Sequence, residues 1–390
     1  MSKPALRVGM VGYAFMGAAH AQGWRNASRF FDVPVGIELT AVAGRNRDAV
    51  GAAADRLGFA STETDWRTLV ERDDIDLVDV CTPGDSHAEI AIAALRAGKH
   101  VLCEKPLANN VAEAEEMAAA AAEAATRGVF AMCGFSYRRT PALAYAKTLI
   151  DQGRLGVIRH VRAQYLQDWL HDENVPMTWR LDKSKSGSGA LGDIGAHLID
   201  TTQWLTGQSI GGVSALLETF VTSRPVVGER SGLGGVGSAD APRGEVTVDD
   251  AALFTARFDG GAVGSFEASR FALGRKNALR VEINGTAGSV AFDFEDNNVL
   301  EFFDGRDPQP EQGFRRILVT EPDHPYIAAW WPAGHGLGYE HAFTHQVVDL
   351  VTAIAEGRQP APSFDDALQV QRVLAAVETS AGNGSTWTTV

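Results

Sequence analysis

The sequence is poor in cysteine and has no excess of basic residues. Its 390 residues include only three cysteines, each at the end of an apolar run: Cys81, Cys103 and Cys133. Isolated thiols of this kind predict buried, reduced side chains rather than disulfides or a zinc site. Acidic residues outnumber basic ones by 49 to 35, and the formal net charge of −14 argues against general nucleic-acid binding.

Long apolar runs and clustered metal ligands are also missing. The chain starts MSKPALRVGMVG, which predicts neither a signal peptide nor a membrane span. Together with the reduced thiols, this start predicts a cytoplasmic protein. His171, Asp172 and Glu173 are adjacent in sequence, so they do not converge as ligands in a helix or a strand, and we predict no metal.

The first third of the chain alternates strand-like runs with helical ones. Five apolar runs are separated by segments with helical spacing: LRVGMV (6–11), IELTAVAG (37–44), LVDVCTP (77–83), KHVLCEKP (99–106) and VFAMCGF (129–135). Strands that alternate with helices through short connections form right-handed crossovers. The pattern predicts an α/β Rossmann domain with a parallel sheet over residues 1–136.

The pattern changes beyond residue 137, where several strand-like runs follow one another without helices. The run FDGGAV is typical of a hairpin, and the Gly-rich stretch 228–245 is predicted to be a loop. Two helices, starting near residues 340 and 365, close the chain. Residues 137–390 are therefore predicted to form a C-terminal α+β domain with a mostly antiparallel open sheet.

The turn after the first strand, GYAFMG, resembles the G-x-G-x-x-G dinucleotide fingerprint. Gly12 permits a tight turn, Gly17 lets the helix pack close to the sheet, and Ala14 stands at the middle glycine position. A pyrophosphate would bind the N–H groups at the helix start, which includes Phe15 and Met16. The other interpretation is an ordinary α/β turn that binds no nucleotide.

The end of the second strand bears on the type of cofactor. An acidic residue at this point usually holds the ribose hydroxyls of NAD, but the sequence has Gly44, followed by Arg45 and Asn46. Without a carboxylate at this position, nothing repels the 2′-phosphate that distinguishes NADP from NAD, and Arg45 can form an ion pair with that phosphate. We therefore favour NADP(H). The alternative is that Arg45 and Arg47 are solvated and NAD(H) binds through backbone contacts.

Residues 189–200 read GALGDIGAHLID, and their spacing predicts a helix. Asp193 and His197 are four positions apart, so a helix puts them on one face. Ionisable side chains on an apolar element are costly unless something satisfies them, which makes both candidates for a functional site. Two other interpretations are a hydrogen-bonded core histidine for His197 and a helix N-cap for Asp193.

Three motifs together resemble the Gfo/Idh/MocA oxidoreductases, and the resemblance covers nearly the whole chain: CTPGDSH (81–87), LCEKPLA (102–108) and GALGDIGAHLID. Three further stretches look closest to the branch of that family that contains levoglucosan and inositol dehydrogenases: YLQDW (165–169), WRLDKSKSGSGALGD (179–193) and HPYIAAWWPAGHGLGYE (324–340). The resemblance implies hydride transfer between NAD(P) and a ring hydroxyl or ketone of a sugar, anhydrosugar or inositol. It also implies that residues 137–390 bind substrate and mediate oligomerisation, giving a homodimer or homotetramer.

The resemblance assigns catalysis to Lys105, Asp193 and His197. His197 is suited to proton transfer near neutral pH, and Lys105 can stabilise charge on the same oxygen, but either of them could move the proton. Asp193 would orient substrate hydroxyls or the imidazole. In the motifs at residues 81–108, the expected cofactor-binding residues are Thr82, Pro83, His87, Glu104, Lys105 and Pro106. Gly84 departs from the family pattern because it replaces an asparagine.

Substrate contacts are expected from aromatic and polar residues near the same motifs, because a sugar ring has apolar faces and a rim of hydroxyls. Besides the catalytic three, the candidates are Tyr137, Arg138, Gln167, Asp168, Trp169, Trp179, Arg180 and His335. The alternative is that Trp169 and Trp179 belong to the core and Arg138 to a structural ion pair.

Two other functional classes fit the same motifs. One is an NAD-dependent glycosidase of the same fold, which oxidises its substrate transiently and shows no net cofactor reduction. The other is a non-catalytic nucleotide-binding sensor. The presence of both Lys105 and His197 favours the dehydrogenase over the sensor.

Overall fold

The structure is a computed structural model that describes residues 3–226 and 241–390. The chain divides into two units, one made of residues 1–139 and 338–368 and the other of residues 140–337 and 369–390. The Gly-rich stretch 228–245, predicted to be a loop, lies outside the described residues from 228 to 240, and its end is not a loop because Arg243–Glu245 form a short strand paired with another. The domain limits predicted from the sequence, 1–136 and 137–390, stay a prediction.

A six-stranded parallel sheet forms the centre of the first unit, in the order β3-β2-β1-β4-β5-β6. Its strands are β1 (Ala5–Val11), β2 (Gly36–Ala43), β3 (Ser61–Glu63), β4 (Leu77–Val80), β5 (His100–Cys103) and β6 (Ala131–Cys133). The strand order reverses between β1 and β4, and α/β proteins bind ligands at the carboxyl ends of such strands. The predicted parallel sheet is confirmed. The short edge strand β3 is missed because its residues lack an apolar run.

Five helices connect these strands: α1 (Phe15–Phe30), α2 (Arg47–Leu57), α3 (Trp66–Glu71), α4 (His87–Arg96) and α5 (Val111–Ala125). The buried cluster at the centre of the unit includes Val8 and Met10 of β1 and Trp24 of α1. Cys81, Cys103 and Cys133 are buried, and none of them is in a disulfide within the described residues, in agreement with the prediction made from their spacing.

Within the described residues, the second unit is built on a nine-stranded sheet, in which only β7 and β12 pair in parallel. Its strands in chain order are β7 (Ile158–Leu166), β8 (Ile210–Glu218), β11 (Ala251–Phe258), β12 (Val263–Ser269), β13 (Ala278–Gly285), β14 (Gly288–Asp293), β15 (Val299–Asp304), β16 (Arg315–Leu318) and β17 (Thr388–Thr389). The strands β9 (Ser223–Pro225) and β10 (Arg243–Glu245) form a separate pair. The predicted α+β domain with a mostly antiparallel sheet is confirmed, and the hairpin expected at FDGGAV joins β11 to β12.

The helices of the rest of the chain are α6 (Pro141–Asp151), α7 (Lys183–Ser186), α8 (Ala196–Thr206), α9 (His341–Ala355) and α10 (Phe364–Gly382). Helix α9 belongs to the first unit, where Val347, Leu350 and Val351 complete the core around Trp24. Nothing in the local pattern of α9 reveals this placement. Across the two described ranges, no helix has both the length and the apolar composition that a membrane crossing requires.

A buried polar network joins α1 to the ends of β4 and β5. The His20 ring lies with Nδ1 2.9 Å from Asp79 Oδ1 and Nε2 2.9 Å from Glu104 Oε1. Trp24 Nε1 donates to Asp79 Oδ2 at 2.7 Å. A ring that carries protons on both nitrogens can donate to both carboxylates. Burial has the largest single effect on the pKa of His20 and lowers it, but attraction and hydrogen bonding to Asp79 and Cys81 together raise that pKa well above its usual value.

We predict that His20→Gln lowers the free energy of unfolding by about 3 kcal/mol at pH 6, because two buried carboxylates lose their cation. The stabilisation by His20 is complete below the unfolded-state pKa of about 6.5 and is lost as the pH rises through the raised folded-state pKa. The deficit of His20→Gln is therefore largest near pH 6 and shrinks towards pH 9. Denaturant unfolding across this range measures it.

Trp24→Phe is the matched control, since it removes a single hydrogen bond to the same carboxylate. We expect a deficit of about 1.5 kcal/mol that does not vary with pH. A His20→Gln deficit of equal size at every pH would show that the ring is neutral in the folded protein.

Candidate functional site

The turn between β1 and α1 has the geometry of a phosphate-binding turn. Gly12 has φ +95°, and a Cβ there would lie 2.7 Å from the carbonyl oxygen of Cys81. A Cβ at Gly17 would lie 2.3 Å from the carbonyl oxygen of Gly12. Ala14 precedes α1 with φ −73°, which suits any residue, and its side chain does not cap the helix. The turn therefore requires glycine at 12 and 17 but accepts alanine at 14, and its helix N–H groups suit a pyrophosphate.

Two expected cofactor residues follow Ala14 at the start of α1. Phe15 is 54% exposed, and its ring stacks on that of Tyr339 with centroids 6.1 Å apart. Met16 is half-buried and packs against the core of the first unit. Tyr339, from the carboxyl-terminal part of the chain, was not predicted as a site residue, because the motif alone does not reveal its contact with Phe15.

The end of β2 explains why an acidic residue is missing there. A Cβ at Gly44 would lie 2.0 Å from Cε1 of Tyr13, so the tyrosine ring occupies the space of any side chain at 44. Arg45 is exposed and makes no ion pair within the described ranges. Asn46 Oδ1 accepts a hydrogen bond from Ala49 N at 3.0 Å and caps α2. Asn46 therefore has a structural role, and the expected contact of Arg45 with a ribose or its phosphate stays a prediction.

His87 connects the loops that follow β4 and β5. Its Nδ1 lies 2.9 Å from the carbonyl oxygen of Pro106, and its Nε2 lies 2.9 Å from that of Thr82. The ring is buried, so its contacts fix one loop against the other. Among the expected cofactor residues, His87 therefore supports the loops that carry Thr82, Pro83 and Pro106.

Gly84, which departs from the family pattern, lies against Asn109. A Cβ at Gly84 would lie 2.6 Å from Asn109 Oδ1. The amide of Asn109 therefore occupies the space beside this turn that a larger residue at 84 would need. Asn109 was not predicted as a site residue. Its only signal in the sequence is its place in LANN, directly after the EKP motif.

Lys105 follows β5 in the same unit and is half-buried. Its backbone N–H donates to Glu104 Oε2 at 3.2 Å, while Oε1 of the same carboxylate contacts His20. The position of Lys105 is thus linked to the buried network described above. Tyr137 and Arg138 lie in a short 3-10 helix after β6, where Tyr137 is buried and Arg138 is half-buried.

The segment of the second unit that carries the predicted catalytic residues begins with a π-helical turn rather than an α-helix. Leu191–Gly195 is π-helical and continues into α8, so Asp193 lies in the π turn and His197 in α8. This corrects the helix expected from spacing. Asp193 does not cap the helix, which excludes that alternative role. Its side chain is 27% exposed, and that of His197 is buried. Isolated π turns are frequent at functional sites.

Asp249 fixes the start of this turn. Its Oδ1 accepts from Gly189 N at 2.7 Å, and its Oδ2 accepts from Leu191 N at 2.8 Å. A Cβ at Gly189 would lie 1.8 Å from the carbonyl oxygen of Asp249, so only glycine fits. Burial raises the pKa of Asp249, and Arg270 and the two N–H groups oppose that effect. This anchor was not predicted from the sequence.

A hydrogen-bonded chain of side chains leads from Trp169 to the neighbourhood of His197. Trp169 Nε1 donates to Gln167 Oε1 at 2.9 Å, and Gln167 Nε2 donates to Asn277 Oδ1 at 2.8 Å. The same Asn277 oxygen accepts from Tyr165 OH at 2.7 Å. The ring of Tyr165 lies 6.0 Å from that of His197, centroid to centroid. Gln167 and Trp169 therefore belong to one hydrogen-bonded array. Tyr165 and Asn277 also belong to this array, although neither was predicted as a site residue.

Four other expected substrate residues lie outside this array. Asp168 accepts from Lys276 Nζ at 2.6 Å, and this contact lowers the pKa of its carboxyl. Trp179 is 38% exposed, and the Arg180 guanidinium stacks on its ring at 4.3 Å. His335 is exposed, with Nδ1 2.8 Å from the carbonyl oxygen of Pro332. These side chains are engaged locally rather than through the Trp169 chain.

His20, Asp79 and Cys81 form the group of possible metal ligands found among the described residues. Both ring nitrogens of His20 are already within hydrogen-bond distance of carboxylates, and Cys81 Sγ lies 3.4 Å from Asp79 Oδ1. Burial raises the pKa of the Cys81 thiol, which keeps it protonated and a poor ligand. The group is therefore best described as a hydrogen-bond network.

Family models match both parts of the chain. Residues 6–132 match an oxidoreductase family with an NAD-binding Rossmann fold, and residues 143–291 match the GFO/IDH/MocA C-terminal domain. The solved structure of an oxidoreductase domain protein from Kribbella flavida is 65% identical, with a TM-score of 0.95 and 100% of each chain covered.

Levoglucosan dehydrogenase from Pseudarthrobacter phenanthrenivorans is 42% identical over 97% of both chains. A levoglucosan dehydrogenase solved with NADH and levoglucosan is 40% identical, with a TM-score of 0.92 over 99% of each chain. These matches agree with the phosphate-binding turn of the first unit and with the sheet of the second. The chain therefore belongs to the Gfo/Idh/MocA family of oxidoreductases, and its first unit has the NAD-binding Rossmann fold.

Proposed function

We propose that the protein oxidises a ring hydroxyl of a sugar, anhydrosugar or inositol, or reduces the corresponding ketone. The array from Trp169 through Gln167 and Asn277 to Tyr165 carries this proposal, because it combines aromatic faces with amides that suit hydroxyl groups. The similarity to levoglucosan dehydrogenase supports the same substrate class.

The first unit has the features that a nicotinamide dinucleotide needs. The uncapped N–H groups at the start of α1, with Gly12 and Gly17 below them, would hold the pyrophosphate. The loops after β4 and β5, which His87 connects, would lie along the rest of the cofactor. When bound, the nicotinamide supplies the hydride chemistry that no side chain provides.

Three side chains are proposed to handle the rest of the reaction. His197 takes the proton of the substrate hydroxyl, for which an imidazole is suited near neutral pH. Lys105 donates a hydrogen bond to the same oxygen and stabilises the negative charge that develops on it. Asp193 orients the imidazole or a neighbouring hydroxyl. The reverse assignment of proton transfer, to Lys105, remains the alternative.

The remaining substrate contacts are proposed with less direct support. Gln167 and Trp169 are part of the array, whereas Tyr137 and Arg138 are supported only by their place after β6. Trp179, Arg180 and His335 stay predictions.

We predict that the purified protein changes the 340 nm absorbance of a nicotinamide cofactor with at least one member of a panel of inositols, sugars and anhydrosugars. Lys105→Ala should lower kcat by about 10²- to 10⁴-fold, because the developing charge loses its donor. Cofactor binding, followed by fluorescence of the reduced form, should change much less. Lys183→Ala removes an exposed ion pair with Glu378 and is the control expected to keep full activity.

Other outcomes would select another functional class. Cleavage of a chromogenic glycoside without net cofactor reduction would identify an NAD-dependent glycosidase. Nucleotide binding without turnover of any compound, together with a Lys105→Ala variant of unchanged biological activity, would identify a sensor.

We also propose a preference for NADP(H) over NAD(H), based on Gly44 and on the exposed, unpaired Arg45 within the described residues. Arg45→Ala should weaken NADPH binding about tenfold or more and leave NADH binding within about twofold. Fluorescence titration without sugar measures both, and Arg56→Ala, an exposed arginine on α2, is the control. Tighter binding of NADH by the wild type would reverse the preference, and a relative solved with NADH makes that the alternative.

We further propose a homodimer or homotetramer in the cytoplasm. One face of the nine-stranded sheet exposes Leu216 and Leu253, which pair across β8 and β11 and are 54% and 43% exposed. Apolar side chains on an open sheet face suit contact with a second copy. Leu253→Arg should shift the mass in light scattering to that of a monomer, with Leu273→Arg as the exposed control. A monomeric wild type would contradict the proposal.

A further inference from the structure

Arg270 is a buried cation that the proposed reaction does not use. It directly follows β12, and its side chain is 0% exposed. A guanidinium remains charged at any ordinary pH, so burying one is costly unless its neighbours compensate. Two of its nitrogen atoms, Nε and Nη1, make no hydrogen bond within the described residues.

The contacts of Arg270 point to the catalytic motif of the second unit. Nη1 lies 3.6 Å from Asp193 Oδ2, an ionic contact longer than a hydrogen bond. Nη2 donates at 2.9 Å to the carbonyl oxygen of Asp249. The guanidinium carbon lies 5.6 Å from the centroid of the Trp169 ring. One buried cation therefore contacts the candidate catalytic acid and also the residue that anchors the π turn.

Asp193 is the exposed member of the cluster of charged residues around Arg270. The other charged groups near Arg270 are Asp249, Asp250 and Arg224. Both carboxylates already accept backbone hydrogen bonds, Asp249 from Gly189 and Leu191 and Asp250 from Phe220 and Val221. The two Nη atoms of Arg224 donate to backbone carbonyls such as that of Leu170, at 2.6 Å. Asp193, at 27% exposed, is the acid of the cluster positioned to meet a ligand.

We propose that Arg270 is a positioning residue that acts through Asp193, keeping its carboxylate ionised and directed away from the core. This inference rests on the proposed function, in which Asp193 orients the imidazole or a hydroxyl. Attraction by a nearby buried cation favours the charged form of a carboxyl group. Through Asp249, the same cation also holds the backbone from which Asp193 projects.

The first test uses the full chain without cofactor or sugar, so it does not depend on turnover. Thermal unfolding is compared for the wild type, Arg270→Met, Asp193→Asn and the double variant. If Arg270 acts through Asp193, Arg270→Met lowers Tm by at least about 2 °C more in the wild-type background than in the Asp193→Asn background. Equal losses in both backgrounds would overturn the proposal, whichever substrate the enzyme uses.

The second test is the pH profile of kcat/KM between pH 5 and 9 at saturating cofactor. Without the cation, Asp193 should protonate at higher pH, so Arg270→Met moves the acidic limb upwards by about one pH unit. Arg270→Lys keeps the charge and should leave the limb in place, even if its rate is lower. A merely structural Arg270 would lower the rate by one factor at every pH, and an unmoved limb in Arg270→Met overturns the proposal.

The two tests separate the failure of this inference from failure of the proposed function. No turnover with the whole substrate panel would contradict the proposed function, and the unfolding cycle would still decide whether Arg270 and Asp193 are coupled. If Arg270→Met does not fold, Arg270→Gln and Arg270→Lys are compared in both Asp193 backgrounds. The proposal is supported if Arg270→Lys has a higher Tm than Arg270→Gln only when Asp193 is present. It is overturned if Arg270→Lys raises the Tm equally in the Asp193→Asn background.

Discussion

The contact of one buried imidazole ring with two carboxylates holds the nucleotide-binding unit together. His20 comes from the helix that starts at the phosphate-binding turn, Asp79 from the neighbouring strand, and Glu104 from the residue before Lys105. Removing water from these groups is expensive, and it is tolerated because positive and negative charges meet at hydrogen-bond distance. The turn, the strand end and the loop that carries Lys105 are therefore linked through a single side chain.

The second unit has a similar arrangement, in which a buried arginine lies among acidic residues. Asp249 holds the backbone at Gly189, and Arg270 contacts both Asp249 and Asp193. In each unit the buried cation does not itself belong to the proposed reacting groups. It neutralises and fixes the segment from which a proposed catalytic side chain projects.

Local sequence patterns were sufficient for the parallel sheet, the family motifs and the mostly antiparallel second sheet, because each rests on neighbours in the chain. Contacts between distant residues were not accessible in this way. The π turn at Asp193 depends on Asp249, and the core of the first unit depends on α9, near the carboxyl end. Asn109 was missed because its relation to Gly84 exists only in the folded chain.

The ring of Tyr13 over Gly44 has a consequence for how cofactor use can evolve in this protein. An acidic residue at position 44 would have to share space with the tyrosine ring, whose nearest atom would be 2.0 Å from the new Cβ. Any side chain at 44 therefore requires the tyrosine ring to move, which couples the residues at positions 13 and 44. Lineages, or designs, that install a ribose-binding carboxylate in this scaffold must also reorient the tyrosine or exchange it for a smaller residue.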